Sequence, residues 1–263
     1  MFNFCSLYSG SSGNSLFIQT ENTKILIDAG ESCKKIVEGL SNINININEL
    51  DAILITHEHI DHTKGLGTLS KKFDIPVYAN SKTWDNMPMQ KDKISDKNIK
   101  KFNTSEKFEI GDLTINSFNI PHDAAYPCGF NILKDNKKIS IATDIGHMTN
   151  NILKILENSY FLLLEANYDP NILKCSKYPY TLKQRIAGPN GHLSNEIAGE
   201  TISILINSGL RNVMLGHLSK ENNFPELAYK TVVEKLMQNN INQSLISLNI
   251  AKRDTPSNLI NII

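Results

Sequence analysis

The sequence has no excess of either charge. Its 263 residues carry 27 Lys and Arg against 27 Asp and Glu, a formal net charge of zero. Such a molecule has no global field that draws in nucleic acid or a membrane surface, so any contact with a polyanion has to come from a local patch. Cysteine is sparse. Cys5, Cys33, Cys128 and Cys175 lie far apart and form no C-x-x-C pair, which leaves reduced, mostly buried thiols as the expectation. No apolar run approaches the ~20 residues of a membrane helix. The start of the sequence also lacks a basic region followed by an apolar stretch. A soluble, cytoplasmic protein without a membrane partner is expected. Repeats, low-complexity tracts and composition breaks are missing too, so residues 1–263 read as a single domain.

One stretch stands out against this background. Leu50 to Ile55 is a short run rich in branched apolar residues and reads as a buried strand. It stops at Thr56, and His57, Glu58, His59, Asp61 and His62 follow within six positions. Burying so many polar groups at a strand end is unfavourable unless something binds them. A metal centre accounts for them: the histidines offer neutral nitrogen and Asp61 offers oxygen. His57 and His59, at i and i+2 on an extended turn, can grip one ion. Asp61 and His62 can turn toward a second.

The rest of the chain repeats the theme of a polar residue where an apolar strand ends. Strands are expected at 2–8, 16–20 and 24–28, the last ending in Asp28. Asp28 either accepts hydrogen bonds that orient a ligand-bearing loop or caps the helix expected at 31–40. The small-residue turn from Ser9 to Ser15 is either a hairpin loop or a loop whose amides and hydroxyls face the site. Helices are expected at 63–72 and around 81–90, with a strand at 76–79. Further strands over 97–120 lead to His122. A hairpin from Gly129 delivers Asp144, where a carboxylate can bridge two cations. His147, close by, is read as non-ligating. A helix at 149–158 and a strand at 160–164 lead to Glu165. The segment from Lys174 to Arg185 interleaves Lys174, Lys177, Lys183 and Arg185 with Tyr178 and Tyr180. It reads either as a solvated face or as a surface that tracks a phosphate backbone. Ser194 caps a helix that runs to about 207. A strand at 211–215 ends at His217, and a helix at about 224–238 and a strand at 244–250 close the chain. Sites form along a sheet edge where strands terminate, which groups Asp28, His57, His122, Asp144, Glu165 and His217.

The run Thr56-His57-x-His59-x-Asp61-His62, followed in order by His122, Asp144 and His217, resembles the metallo-β-lactamase fold family over nearly the whole chain. The resemblance implies a four-layer αββα sandwich, an α/β fold, with a binuclear centre between two sheets. It implies that His57, His59 and His122 hold one ion, that Asp61, His62 and His217 hold the other, and that Asp144 bridges them. Further motifs resemble the YycJ/WalJ (VicX) subfamily: Ser9 to Ser15, His122-Asp-Ala, Thr143-Asp144-Ile-Gly, Glu165-Ala-Asn-Tyr-Asp169, Gly191-His192-Leu-Ser-Asn195 and Gly216 to Asn223. That subfamily is regarded as 5′-to-3′ exodeoxyribonucleases on double-stranded DNA with a suggested role in mismatch repair. The match also resembles tRNA 3′-processing endonucleases of this fold, in which a Glu and a His outside the metal set donate a proton. Glu165 and His192 occupy those positions. No inserted β-CASP-type domain fits between Asp144 and His192.

The expected chemistry is phosphodiester hydrolysis by a water activated between two divalent cations. Asp61, Glu165 and His192 are the candidate catalytic residues, with His192 giving a proton to the leaving 3′ oxygen. Manganese or zinc suits the nitrogen and oxygen donor set, and iron also fits it. Ser12, Asn14, Asn167, Lys183 and Arg185 are the candidate substrate contacts. A small-molecule phosphodiesterase or thioesterase of the same fold is the alternative. A metal-stabilised interaction module is a third reading. No protein-partner motif is visible.

Overall fold

The structure is a computed structural model that describes residues 1–262. Its strands are β1 (Phe2–Tyr8), β2 (Ser15–Thr20), β3 (Lys24–Ile27), β4 (Ala52–Leu54), β5 (Val77–Asn80), β6 (Ile99–Phe102), β7 (Lys107–Ile110), β8 (Leu113–Asn119), β9 (Cys128–Lys134), β10 (Lys137–Ala142), β11 (Phe161–Glu165), β12 (Asn212–Gly216), β13 (Ser247–Ile250) and β14 (Ile260–Asn261). They form two seven-stranded mixed sheets, ordered β14-β1-β2-β3-β4-β5-β6 and β13-β12-β11-β10-β9-β8-β7.

Side chains alternate along these strands, and the apolar run of β11 shows what this does. Phe161 and Leu163 enter the core between the sheets with Phe4, Ile25, Leu54, Phe130 and Ile141. Leu162 and Leu164 point the other way, against Ile152, Ala198, Ile202, Val232 and Leu236 from the helices Asn150–Leu156, Asn195–Ile206 and Pro225–Gln238. On the first sheet, Phe17, Leu26 and Ile53 meet Ile36, Leu40, Leu66, Leu69 and Trp84 from the helices over it. A strand buried on both faces must be apolar at every position, which is why these strands read as continuous runs rather than alternations. The result is an αββα sandwich.

Strand direction positions the site. β3 to β6 run parallel in the first sheet, and β10 to β13 run parallel in the second. β8 is antiparallel to β9 and β9 to β10, so β8 runs with β10. The chain therefore leaves β3, β4, β8, β10, β11 and β12 along one rim.

The expected helix at 63–72 is two helices, Ile60–Thr63 and Leu66–Phe73. That at 81–90 breaks at Met87, because Pro88 starts a new turn as its first residue. The strands over 97–120 divide between sheets: β6 closes the first and β7 opens the second. β14, which pairs with β1, was not anticipated. The cysteines are unpaired, with Cys5 and Cys128 buried, Cys33 half-buried and Cys175 exposed. Cys175 departs from the expectation of burial. Among the described residues no helix is long and apolar enough to cross a membrane.

Candidate metal centre

The loops leaving the rim turn sharply. Asp28, Asp144 and His217 follow β3, β10 and β12 with φ of 63°, 58° and 55°. This left-handed conformation is uncommon without glycine, though Asp and His tolerate it better than most. Hydrogen bonds hold the first and last of these turns. Asp28 donates its amide to the Leu54 carbonyl at 2.8 Å, and His217 donates its amide to Ser9 Oγ at 2.8 Å.

The loop after β4 is clamped from below. Asn14 and Ala29 donate backbone amides to the carbonyls of Asp61 and His62, each at 2.8 Å. Gly30 is required at that contact, since a Cβ there would stand 1.6 Å from the Asp61 carbonyl oxygen. Asp28 then orients the ring above it: its Oδ2 is 2.7 Å from His62 Nδ1, and its Oδ1 accepts from the Thr56 amide at 2.9 Å.

These constraints bring the candidate ligands together. His57, His59 and His122 form one group. Asp61, His62 and His217 form another. His57, His62 and Asp144 form a third that links them, and in each group the donor atoms lie within 4.8 Å of one another. His59 Nδ1 is 3.0 Å from His57 Nε2 and 3.4 Å from His122 Nε2. Asp144 Oδ2 is 3.3 Å from His62 Nε2, and Asp144 Oδ1 is 3.4 Å from His217 Nδ1. Asp61 Oδ2 is 3.6 Å from His62 Nε2 and 3.7 Å from His217 Nε2.

The two groups differ electrically. Burial and the neighbouring imidazoles hold His57 well below the ordinary histidine range, and burial likewise lowers His122. Both are neutral nitrogen donors. Burial opposes charge on His62 as well, but Asp28, Asp144 and Asp61 outweigh it and raise its pKa to about 9. The second group therefore sits among the carboxylates of Asp28, Asp61 and Asp144, which attract positive charge. Asp144 Oδ2 and His217 Nε2 are buried without a hydrogen-bond partner. Orphaned atoms of this kind are unfavourable in a folded interior unless a ligand satisfies them. Nitrogen and oxygen donors, neutral on one side and anionic on the other, fit divalent cations.

Glu165 lies directly behind. Its carboxylate is fully buried. Oε1 is 2.8 Å from both His192 Nδ1 and His217 Nδ1, and Oε2 accepts from the amides of Ile145 at 2.8 Å and Leu193 at 3.0 Å. Burial pushes its pKa up, but the two imidazoles and these hydrogen bonds prevail and hold it ionised.

A family model described as a β-lactamase superfamily domain matches residues 23–218. The exodeoxyribonuclease WalJ of Streptococcus pneumoniae serotype 2 is 43% identical over 90% of this chain and 89% of its own length. The chain belongs to this superfamily, in the WalJ/YycJ family. The exodeoxyribonuclease YycJ of Bacillus anthracis is 36% identical over 89% of this chain and 88% of its own. The metallo-β-lactamase fold protein YhfI of Bacillus subtilis superposes with a TM-score of 0.70 at 18% identity, covering 97% of this chain and 99% of its own, which shows the shared fold. As a WalJ/YycJ family member the protein is a metal-dependent hydrolase.

The remaining candidates of this WalJ/YycJ chain fall in different places. Asn14 is buried, accepts from the Gly10 amide at 2.9 Å and has Nδ2 3.2 Å from His62 Nε2. Asn167 is buried and donates to the His217 carbonyl at 2.8 Å. Both side chains bind the loops that carry candidate ligands. Ser12 is exposed at the tip of its turn. Arg185 pairs through Nε with Asp123, next to His122, and stands at the rim of the site. Lys183 is outside the donor groups, its Nζ on the Lys174 carbonyl at 2.7 Å. His147 is outside every donor group, with Nδ1 2.8 Å from the Pro189 carbonyl. Sequence reading missed three contacts: Glu165 to His217, His122 Nδ1 to the Gly191 carbonyl at 3.1 Å, and Glu58 Oε1 to the Ala125 amide at 2.6 Å. Each joins residues remote in the chain, and a single sequence carries no signal of such pairings.

Proposed function

We propose that the protein is a binuclear phosphodiesterase that acts as a 5′-to-3′ exodeoxyribonuclease on double-stranded DNA. The observation that carries this reading is the pair of donor groups meeting at Asp144, with Glu165 and His192 set beside them. The names of the WalJ and YycJ relatives support DNA as the substrate.

In this reading His57, His59 and His122 would hold one divalent cation. Asp61, His62 and His217 would hold a second, and Asp144 lies where the two groups meet. Manganese or zinc suits this donor set, and iron also fits it. When bound, two such cations would supply Lewis-acid activation of a water and charge stabilisation at the phosphodiester. The residues do the rest. Asp28 takes up His62 Nδ1, and Glu165 takes up His217 Nδ1, which turns each Nε2 toward the carboxylates of the site. Asp61 stays ionised because His62 and His217 flank it. Glu165 also binds His192 Nδ1, so the other ring nitrogen is available to protonate the departing 3′ oxygen. His192 is partly open to the surface, unlike the fully buried Glu165, as a group that must exchange protons requires. We read residues 1–263 as one domain working in the cytoplasm.

The test uses duplex DNA with a 5′-phosphate and a label at the 3′ end of the same strand. Protein supplied with Mn²⁺ is compared with His59→Ala. Labelled products that shorten from the 5′ end, absent in the variant, are expected. Intact DNA with metal-loaded wild-type protein would overturn the reading and favour a small phosphodiester substrate.

A further inference from the structure

Beside the metal centre lies a cleft that the chemistry above does not use. It encloses about 520 Å³ and is lined by Tyr168, Lys174, Tyr178, Tyr180, Lys183 and Gln184 among others. A second cavity of about 420 Å³ is its neighbour; the two meet at Tyr168 and Ala187, and His192 lies on the wall of the second. The backbone ties them to the site: Tyr168 bridges Ser194, and His192 donates its amide to the Ile186 carbonyl at 2.9 Å.

We propose that this cleft seats the unpaired 5′ end of the DNA strand being cut, with bases against Tyr178 and Tyr180 and phosphates near Lys174 and Lys183. The inference rests on the nuclease reading and names where its substrate lies.

Three observations carry it. The first is charge. The chain is neutral overall, yet residues 166–191 hold Lys174, Lys177, Lys183 and Arg185 against Asp169 alone, a net charge of +3. Among the described residues, Lys174, Lys177 and Lys183 enter no ion pair, and Arg185 alone of the four pairs with a carboxylate. Unneutralised cations in a row are what a phosphate backbone requires. The second is aromatic exposure. Tyr180 is 73% exposed, and no residue of its helix, Tyr180–Ile186, is buried. The core does not need this helix, whereas a row of bases finds in it a stacking surface. The third is position. His192 donates its amide to the Ile186 carbonyl and Arg185 pairs with Asp123 beside His122, so the helix Tyr180–Ile186 abuts the side of the site where His192 is partly open. A cleft of this volume accommodates a strand end rather than a double helix.

The test has two arms, both on Mn²⁺-loaded full-length protein. The first follows steady-state cleavage of duplex DNA, with bis-p-nitrophenyl phosphate as reference because it is too small to span the cleft. Tyr178→Ala with Tyr180→Ala is expected to raise KM for DNA ~10-fold while kcat changes little, and Phe at both positions is expected to restore it. Lys174→Gln with Lys183→Gln is expected to flatten the salt dependence of DNA binding. An unchanged KM in the tyrosine variant overturns the proposal. So does an equal loss on both substrates, which would mark a structural role. The second arm reads binding without cleavage. Trp84 is fully buried, so Tyr180→Trp places the one exposed indole in the cleft. A cleavage-resistant phosphorothioate single strand is expected to shift its emission saturably. Emission that shifts while DNA stays uncut sinks the nuclease reading alone. Cutting without a shift sinks the cleft alone.

Discussion

Glu165 Oε1 lies 2.8 Å from His217 Nδ1. The same oxygen lies 2.8 Å from His192 Nδ1, so one carboxylate atom joins a candidate metal ligand to the candidate proton donor. The other oxygen receives two backbone amides. All four partners donate, and a carboxylate accepts from all of them. An amide cannot: its NH₂ must face either two amides or two imidazoles. Glu165→Gln is therefore expected to lower metal affinity ~10–100-fold and kcat ~10²–10⁴-fold. His192→Ala is expected to lower kcat on a comparable scale while keeping full metal content. Metal per protein by elemental analysis, beside single-turnover cleavage, separates the two. Full metal content in Glu165→Gln would show that His217 does not depend on it.

Asp28 offers a cleaner case, because its carboxylate touches a candidate ligand and no candidate catalytic group. In Asp28→Asn the amide NH₂ faces either His62 Nδ1 or the Thr56 amide, both served by carboxylate oxygens in the native chain. Facing Nδ1, it favours the tautomer with the proton on Nε2, which blocks ligation. Metal affinity is expected to fall ~10–100-fold with little change in rate once metal is saturating. Competition with a chromophoric chelator measures it. Equal affinity would leave Asp28 a purely structural group.

Much of this site was legible because its groups sit where apolar strands stop. A run such as Tyr160 to Leu164 followed by Glu165 announces both a buried strand and a polar residue at its end. The rim gathers such residues through the common direction of the strands, which follows from helical crossovers between parallel neighbours. The pairings across the rim were less legible. Glu165 was read with His192, but its bond to His217 depends on β11 and β12 being adjacent in register, Glu165 opposite Gly216. Asn14 and Asn167 read as candidate substrate contacts from their place in loops beside the site. Here they satisfy the carbonyls and rings of loops turned inward. The division of residues 97–120 between two sheets was invisible for a similar reason: β6 (Ile-Lys-Lys-Phe) and β7 (Lys-Phe-Glu-Ile) are both short, half-apolar strands, and nothing local to either says which sheet it joins.

The two sheets are also tied far from the site. Asp112 Oδ1 accepts from Thr20 Oγ1 at 2.6 Å and Thr23 Oγ1 at 2.7 Å, joining the turn between β7 and β8 to the end of β2. Burial pushes the Asp112 carboxyl up, but these hydroxyls and Lys134 outweigh it and bring its pKa down to about 2. A depressed carboxylate contributes stability above its unfolded value of about 3.9 and loses it as pH falls through the folded value. Asp112→Ala is therefore expected to destabilise the protein by ~1 kcal/mol near neutral pH, after allowing for solvent screening. The difference from wild type is expected to shrink between about pH 4 and pH 2. Urea midpoints across that range check it. A difference that does not change with pH would assign the effect to packing rather than ionisation.

Gly30 tests whether the floor beneath the ligand loop is as rigid as its contacts suggest. Its amide donates to the Asn14 carbonyl at 2.8 Å. An added Cβ would meet the Asp61 carbonyl oxygen at 1.6 Å and the Asn14 amide nitrogen at 2.6 Å. Both neighbours are backbone, so no side-chain rotation relieves the contact. The Asp61 peptide must move, and Asp61 and His62 move with it. Because Asn14, Ala29 and Gly65 also bind across this junction, the shift is shared rather than absorbed at one bond. Gly30→Ala is expected to destabilise the fold by ~3 kcal/mol. In the protein that still folds, it is expected to deplete the ion assigned to Asp61, His62 and His217 more than the one assigned to His57, His59 and His122. Stoichiometry falling from two cations toward one, with thermal unfolding recorded on the same sample, would bear this out. Loss of both ions in step, or of neither, would mean that the loop moves as a unit or yields without disturbing the donors.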